Sequence, residues 1–346
     1  MPKIFPMTRI LLLLAAISLF SCESHKAEHV EKAVYYWKSD GYYWQNNDTT
    51  IQKLGIEKVY AKFFEVEYNE VMGNIPVDKT SLRSYQLDSL DVVPTVFIGN
   101  EVFLKTTTQS GLDSLADNVN FLISKYSEPF EKKRPITEYQ MDCDWTPKTK
   151  VPYFYFLKKL KALSKKQISC TLRLYPYKYP QKMGIPPVDK ATLMCYNLIN
   201  PLESHAKNSI LDVGELSSYL DTRRKYPIHL DIALPVYSWM LLYQNNQFSK
   251  VIYKDHKEIR GSLHKIDSLW YEVTQDVVVD DFYLRVGDKI KYEQMTADKI
   301  GKAIAVIKKN VAFDPSITVT LFHFDTEQLN QYNDETLARF YSDFSK

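Results

Sequence analysis

The chain has 346 residues, with 44 Lys and Arg against 42 Asp and Glu, for a formal net charge of +2. That balance, with no basic cluster interleaved with aromatics, gives no case for nucleic acid as a partner. Hydrophobic residues make up 45% of the chain, and beyond the first twenty or so residues no apolar run is long enough to cross a bilayer.

Residues 1–21 read as a signal peptide. Lys3 and Arg9 supply a positive start, and Ile10 to Phe20 is an apolar run too short to span a membrane. Leu19-Phe20-Ser21-Cys22 resembles a bacterial lipobox, which implies acylation of Cys22 and a membrane-anchored lipoprotein of the cell envelope. The polar stretch that follows predicts a tether over 22–32. About 325 residues remain from Cys22 on, enough for one large barrel domain.

From residue 33, short apolar runs alternate with polar helical stretches. The runs are Val34–Trp37, Val59–Val66, Val92–Ile98, Tyr139–Trp145, Ile168–Tyr175, Thr192–Leu198, Ile228–Tyr237 and Ile317–Phe324. Leu112–Tyr126, Tyr153–Leu163 and Ala297–Lys309 have amphipathic helical spacing. Strand and helix in alternation predict βαβ units and a parallel sheet, and eight strands are the number that closes a (β/α)₈ TIM barrel over 33–346. The open doubly wound sheet is the alternative, but no GxGxxG turn follows the first strand. The segment at about 241–296 is too long for one βα connection. Its β-branched run and Gly287-Asp288 predict a small subdomain inserted after strand seven.

Side chains alternate along a strand, so the phase of each run predicts what lines the axis. Ser169, Thr171, Arg173 and Tyr175 share one phase, and Ile168, Cys170 and Leu172 the other. Gln140, Asp142, Asp144 and Thr146 point inward by the same rule, as do His229, Asp231 and Tyr237, and Lys62 between Tyr60 and Phe64. Buried charges are costly unless paired. Lys62, Asp142, Asp144, Arg173 and Asp231 are therefore expected to form one network. Cys143, Cys170 and Cys195 have no CxxC spacing and read as buried thiols. His205, His229 and His323 are scattered, with no HxH or HExxH, so neither a metal nor a cofactor is expected.

Barrel enzymes carry their chemistry at the C-terminal ends of the strands. There, Asp142 and Asp144 sit at i and i+2, roughly 6–7 Å apart along the strand. Such a pair raises one pKa at the other's expense. Tyr139 to Thr146 resembles the DxxDxDxE signature of the family 18 glycoside hydrolases, the chitinase-like barrels. Met194-Cys195-Tyr196 is similar to their M-x-Y, and Leu234-Pro235-Val236-Tyr237 to their LPxYG, with Ser238 for Gly. The resemblance implies a substrate acetamido group acting as nucleophile, with Asp144 and Tyr196 holding it and Asp142 supporting Asp144. It implies carbohydrate contacts from Tyr237, Trp239, Trp145, Arg173 and Lys62. Two positions depart from the signature: Tyr139 replaces its first Asp, and Thr146 stands where the general acid Glu belongs. A hydroxyl has no accessible pKa near neutrality and cannot protonate a leaving group at useful rates. Two readings stay open. One is a glycoside hydrolase on N-acetylated glycans whose acid is another carboxyl, from Asp144, Glu65, Glu67, Glu101 or Asp325. The other is a glycan-binding or scaffold lipoprotein that does not cleave.

Overall fold

Eight segments form parallel strands: β1 His29–Tyr36, β2 Lys58–Asn69, β3 Asp91–Ile98, β4 Glu138–Asp142, β5 Gln167–Leu172, β6 Lys190–Met194, β7 His229–Pro235 and β8 Ser316–Phe322. Each pairs in parallel with the next, and β8 pairs with β1, so the sheet closes on itself. The result is a closed eight-stranded α/β barrel. It is seen in a computed structural model that describes residues 26–38, 49–82, 87–132, 134–203, 205–220, 225–253, 257–279 and 282–346. The expected signal peptide, residues 1–21, and Cys22 lie outside the described residues.

The helices bury the stripes that their spacing dictates. Helix Gln109–Glu131 is capped by Thr108, whose side chain accepts from the Gly111 N–H, and it buries Leu112, Leu115, Ala116, Val119 and Ile123. Helix Lys150–Ser164 buries Tyr153, Phe156, Leu157 and Leu160. Helix Ala297–Asn310, capped by Thr296, buries Ile300, Ala303, Ile304 and Ile307. They pack over the outward phase of the strands, where Met141, Cys143, Ile168, Cys170 and Leu172 are buried. Truncating Phe156 to Ala there would cost about 3–5 kcal/mol through lost transfer energy and a cavity. The three cysteines are free buried thiols.

Three details differ from the sequence reading. The tether expected over 22–32 is shorter, because residues 29–32 are the first half of β1. The Ala27 N–H already donates to the Phe344 carbonyl at 3.0 Å. Glu31 and Lys32 look like linker residues, yet Glu31 faces the polar base of the barrel and accepts from Thr318 at 2.8 Å. In β2 a bulge falls between Lys62 and Phe64, which face Thr95 and Val96 respectively. The extra residue shifts the phase, so Phe64 turns from the axis to Tyr126 of helix Gln109–Glu131. β5 ends at Leu172 and a short helix begins at Leu174. Tyr175 is therefore on the rim, 39% exposed, and not in the axis.

β2 continues past the barrel and folds back through the antiparallel strand Gly73–Val77. After β7 the chain builds a second, antiparallel sheet. Its strands run in the order Gln247–Ile252, Trp239–Gln244, Lys289–Glu293, Trp270–Val273, Leu263–Lys265. Asn245 and Asn246 both have positive φ, 51° and 59°, as the tight turn between its first two strands requires. One face of this sheet buries its own small core, including Met240, Leu242, Ile290, Val273 and Leu284.

Candidate functional site at the barrel mouth

The axis is polar along its whole length, and its two ends differ. At the base, where the strands start, Lys190 of β6 reaches Glu138 of β4 at 3.1 Å and Asp231 of β7 at 3.0 Å. All three are nearly inaccessible. Burial works against the Lys190 charge, and the two carboxylates more than offset it, so its pKa is raised. Burial alone would raise the Asp231 pKa. The hydrogen bond with His229, the Lys190 charge and the Thr318 N–H pull it down to about 2. Above this layer Gln140 spans the axis. It accepts from the Tyr35 hydroxyl at 2.7 Å and donates to Thr192 at 3.2 Å.

The mouth, at the strand ends, holds the acidic pair. Asp142 is buried and accepts from the Thr171 hydroxyl at 2.6 Å. Burial, then the Asp144 charge, pushes its carboxyl up to about 6, with Thr171 and Arg173 opposing. Asp144 is half-exposed and clamped bidentately by Arg173, with Nε at 2.6 Å and Nη2 at 2.9 Å. Burial works against the Arg173 charge, and Asp144 outweighs it, so the guanidinium is held above its usual range. The Thr146 N–H donates to the Thr149 hydroxyl at 2.8 Å, the two hydroxyls lie 3.2 Å apart, and Thr149 donates to Asn100. Thr146 is thus built into the turn that starts helix Lys150–Ser164.

Aromatic rings close the mouth on the side of β7, β8 and β1. Tyr196 stacks on Phe322 at 4.9 Å and meets Tyr237 edge-on. Trp37 packs on Phe322 at 5.9 Å. The Tyr237 hydroxyl donates to Asn197 at 2.5 Å. Trp239 meets Tyr237 and Tyr253 edge-on, and its indole N–H donates to Glu293 at 2.6 Å. Two polar atoms here lack a hydrogen-bond partner among the described residues: the Tyr196 hydroxyl and His323 Nδ1. Burial raises the Tyr196 pKa, and its electrostatic neighbours include Asp142, Tyr237 and Arg173. Burial likewise lowers the His323 pKa, which leaves the ring neutral near pH 7. An unsatisfied buried hydroxyl costs about 1–3 kcal/mol, which a ligand or water at the mouth would offset.

The mouth therefore brings together Asp142, Asp144, Arg173, Tyr196, Tyr237 and Trp239. Lys62 also lies near the mouth, but it is bound to Glu65 at 2.6 Å and Asp78 at 2.5 Å, with Trp37 nearby. Trp145 does not join them. It is 3% exposed on the helix side of the barrel, packs on Tyr153 and Phe154, and donates to the Met183 carbonyl. No indole face is left for a sugar. The single charge network expected for Lys62, Asp142, Asp144, Arg173 and Asp231 is instead three separate groups. Asp142 and Asp231 lie on the same hydrogen-bonded row, through Thr171 and Thr192. Barrel strands tilt by about 36°, so a row descends from strand to strand and Asp231 ends at the base. Glu138, Lys190, Trp37, Phe322 and Glu293 were not among the expected residues. Glu138 keeps the phase of Gln140 and Asp142, and Lys190 that of Thr192, one and two residues before the apolar runs begin. Of the alternative acids, Glu65 is paired with Lys62. Asp325 is paired with Lys38 at 2.5 Å and caps helix Thr326–Leu329. No group of three His, Cys, Asp or Glu among the described residues is placed to hold a metal.

No family model matches the chain, and no curated protein matches it in sequence. Solved structures do match. The Bacillus cereus spore cortex-lytic enzyme SleL is similar with a TM-score of 0.55 at 13% identity, over 93% of this chain and 75% of that one. A GH18 chitinase from Cycas revoluta, solved in complex with (GlcNAc)3, gives 0.50 at 12%, over 92% and 100%. At these identities the likeness is one of fold: the chain is built as the eight-stranded barrel seen in chitinases of family 18, whose strand-end motifs it also resembles.

Proposed function

We propose that the barrel mouth binds N-acetylated glycans and does not cleave them. The observation that carries this is the state of the acidic pair. Asp144 is clamped by Arg173, and the position of the expected general acid holds Thr146, whose hydroxyl is tied to Thr149. A proton donor must be free to approach the leaving oxygen, and neither group is. Ligand capture needs less. The mouth offers a charged fork, an aromatic wall and, in Tyr196 and His323, two polar atoms without a hydrogen-bond partner among the described residues. The Cycas revoluta chitinase with bound (GlcNAc)3 supports the ligand class. The same proposal puts the protein in the bacterial cell envelope, held at a membrane by acyl chains on Cys22.

A second reading rests on Asp142, whose carboxyl is pushed up to about 6 and so carries a proton through mildly acidic pH. In that reading it is the acid and hydrolysis is slow. A glycan array followed by mass spectrometry of the bound sugars separates the two. Retained intact oligosaccharide supports the binder, and shortened products support the hydrolase. Asp144→Asn abolishes binding while the fold persists; a variant that binds normally puts the site elsewhere. Intact mass of membrane-extracted protein tests the anchor, with acyl mass expected on the wild type and absent from Cys22→Ala.

A further inference from the structure

The inserted sheet carries its own pocket, away from the barrel mouth. It has a volume of about 390 Å3, within the range of small-ligand sites. Its floor is aromatic. Trp270 stacks on His205 at 5.5 Å with 29° between planes, meets Tyr243 tilted at 5.1 Å and 53°, and is partly exposed. The Trp270 indole N–H donates to the His205 carbonyl at 2.8 Å, which fixes the ring in place. Around the floor stand an amide, a carboxylate and an ammonium, from Asn246, Asp267 and Lys289, the last donating to Asn246 at 3.1 Å. Ile266, 46% exposed, closes one side.

The strand register separates this pocket from the mouth. Trp239, Leu241 and Tyr243 share one face of their strand, paired with Glu293, Lys291 and Lys289. Trp239 is at the barrel end and Tyr243 is four residues away, about 14 Å along the strand. Between them Leu241, Lys291 and Glu293 are fully buried. Glu293 binds Lys291, Ser209 and Trp239. The intervening face is thus filled by protein, and the two sites are distinct.

We infer that the Trp270 pocket is a second saccharide site, taking one end of a neutral oligosaccharide. A pyranose has an apolar C–H face that stacks on aromatic rings and a rim of hydroxyls that needs both donors and acceptors. A fixed aromatic floor with an amide, a carboxylate and an ammonium around it matches both faces. One cation against one anion gives no net preference for a charged sugar. The inference stands apart from the reading of the mouth.

The chain has five tryptophans, so protein labelled with 5-fluorotryptophan reports each indole by fluorine NMR. The Trp270 signal is assigned by its loss in Trp270→Phe. Titration with (GlcNAc)3 and with maltotriose is expected to shift it saturably with at least one of them, in the wild type and equally in Asp144→Asn. Tyr243→Ala is expected to weaken that binding about tenfold, and Lys289→Ala several-fold. A Trp270 signal unmoved by both sugars at millimolar concentration overturns the inference. So does a shift that Tyr243→Ala and Lys289→Ala leave unchanged. A shift lost in Asp144→Asn overturns the independence of the two sites.

Discussion

The two ends of the barrel axis solve the same problem in opposite ways. The base buries Lys190 between Glu138 and Asp231, with His229 bridging Asp231 to Asp314, and it reads as a closed electrostatic core. The mouth exposes its ion pair, strains a carboxylate and leaves two polar atoms without hydrogen-bond partners among the described residues. Charge as such does not mark a site in this barrel: the base buries its ion pairs, and the mouth opens its own to solvent.

The largest expected effect is at the base. Lys190→Met leaves Glu138 and Asp231 facing each other in the dark of the core, and is expected to cost about 3–5 kcal/mol. Urea unfolding measures it, and a loss below about 1 kcal/mol would erase the contrast between the ends. Next is Asp142. Its pKa rises from 3.8 to about 6 on folding, so the native state holds a proton that the unfolded state has released. Stability then falls as pH rises through that window. Asp142→Asn is expected to gain on the wild type by about 2–3 kcal/mol between pH 4 and pH 7. Parallel stability curves would show that the mouth carboxylate is not strained. Asp231 has the opposite sign. Lowered to about 2, it contributes stability present above about pH 4 and lost as pH falls toward its folded value.

Asp144→Asn is expected to change stability by less than about 1 kcal/mol, because its pair with Arg173 is partly open to solvent, while binding disappears. A destabilisation comparable to that of Lys190→Met would make the mouth a structural core as well. The smallest effect belongs to His229, whose pKa is raised chiefly by its hydrogen bond to Asp231, against the cost of burial. Its contribution is complete below about pH 6.5 and fades as pH rises through the raised value. NMR titration of the ring checks the direction.

Much of the mouth was legible in the chain. Asp142, Asp144, Arg173 and Tyr237 declare themselves because each sits in the inward phase at a strand end, and alternation needs no tertiary knowledge; Tyr196 follows only from the likeness of Met194-Cys195-Tyr196 to the M-x-Y motif. Height along the axis was not legible. It depends on strand tilt, which turns one hydrogen-bonded row into a descending path and separates Asp231 from Asp142. The bulge at Lys62 and Phe64 was equally silent, since it breaks the phase without a Gly or Pro to mark it, and the early end of β5 has only Pro176, inside the short helix that follows. Glu293 was invisible for another reason. Its partners Ser209 and Trp239 lie 84 and 54 residues away in the chain, and no local pattern encodes such a contact.

Ala27 is tied to Phe344 beside the starts of the strands, so the chain enters the barrel through its base. With Cys22 acylated as proposed, the five residues to Ala27 reach at most about 18 Å. The barrel would then stand on the bilayer by its closed end, its opening turned outward by the height of the strands, roughly 20–25 Å. That standoff sets what can be caught. A headgroup of the anchoring leaflet is on the wrong side of the molecule, whereas a polymer passing overhead, or one borne by a facing surface, meets the opening directly.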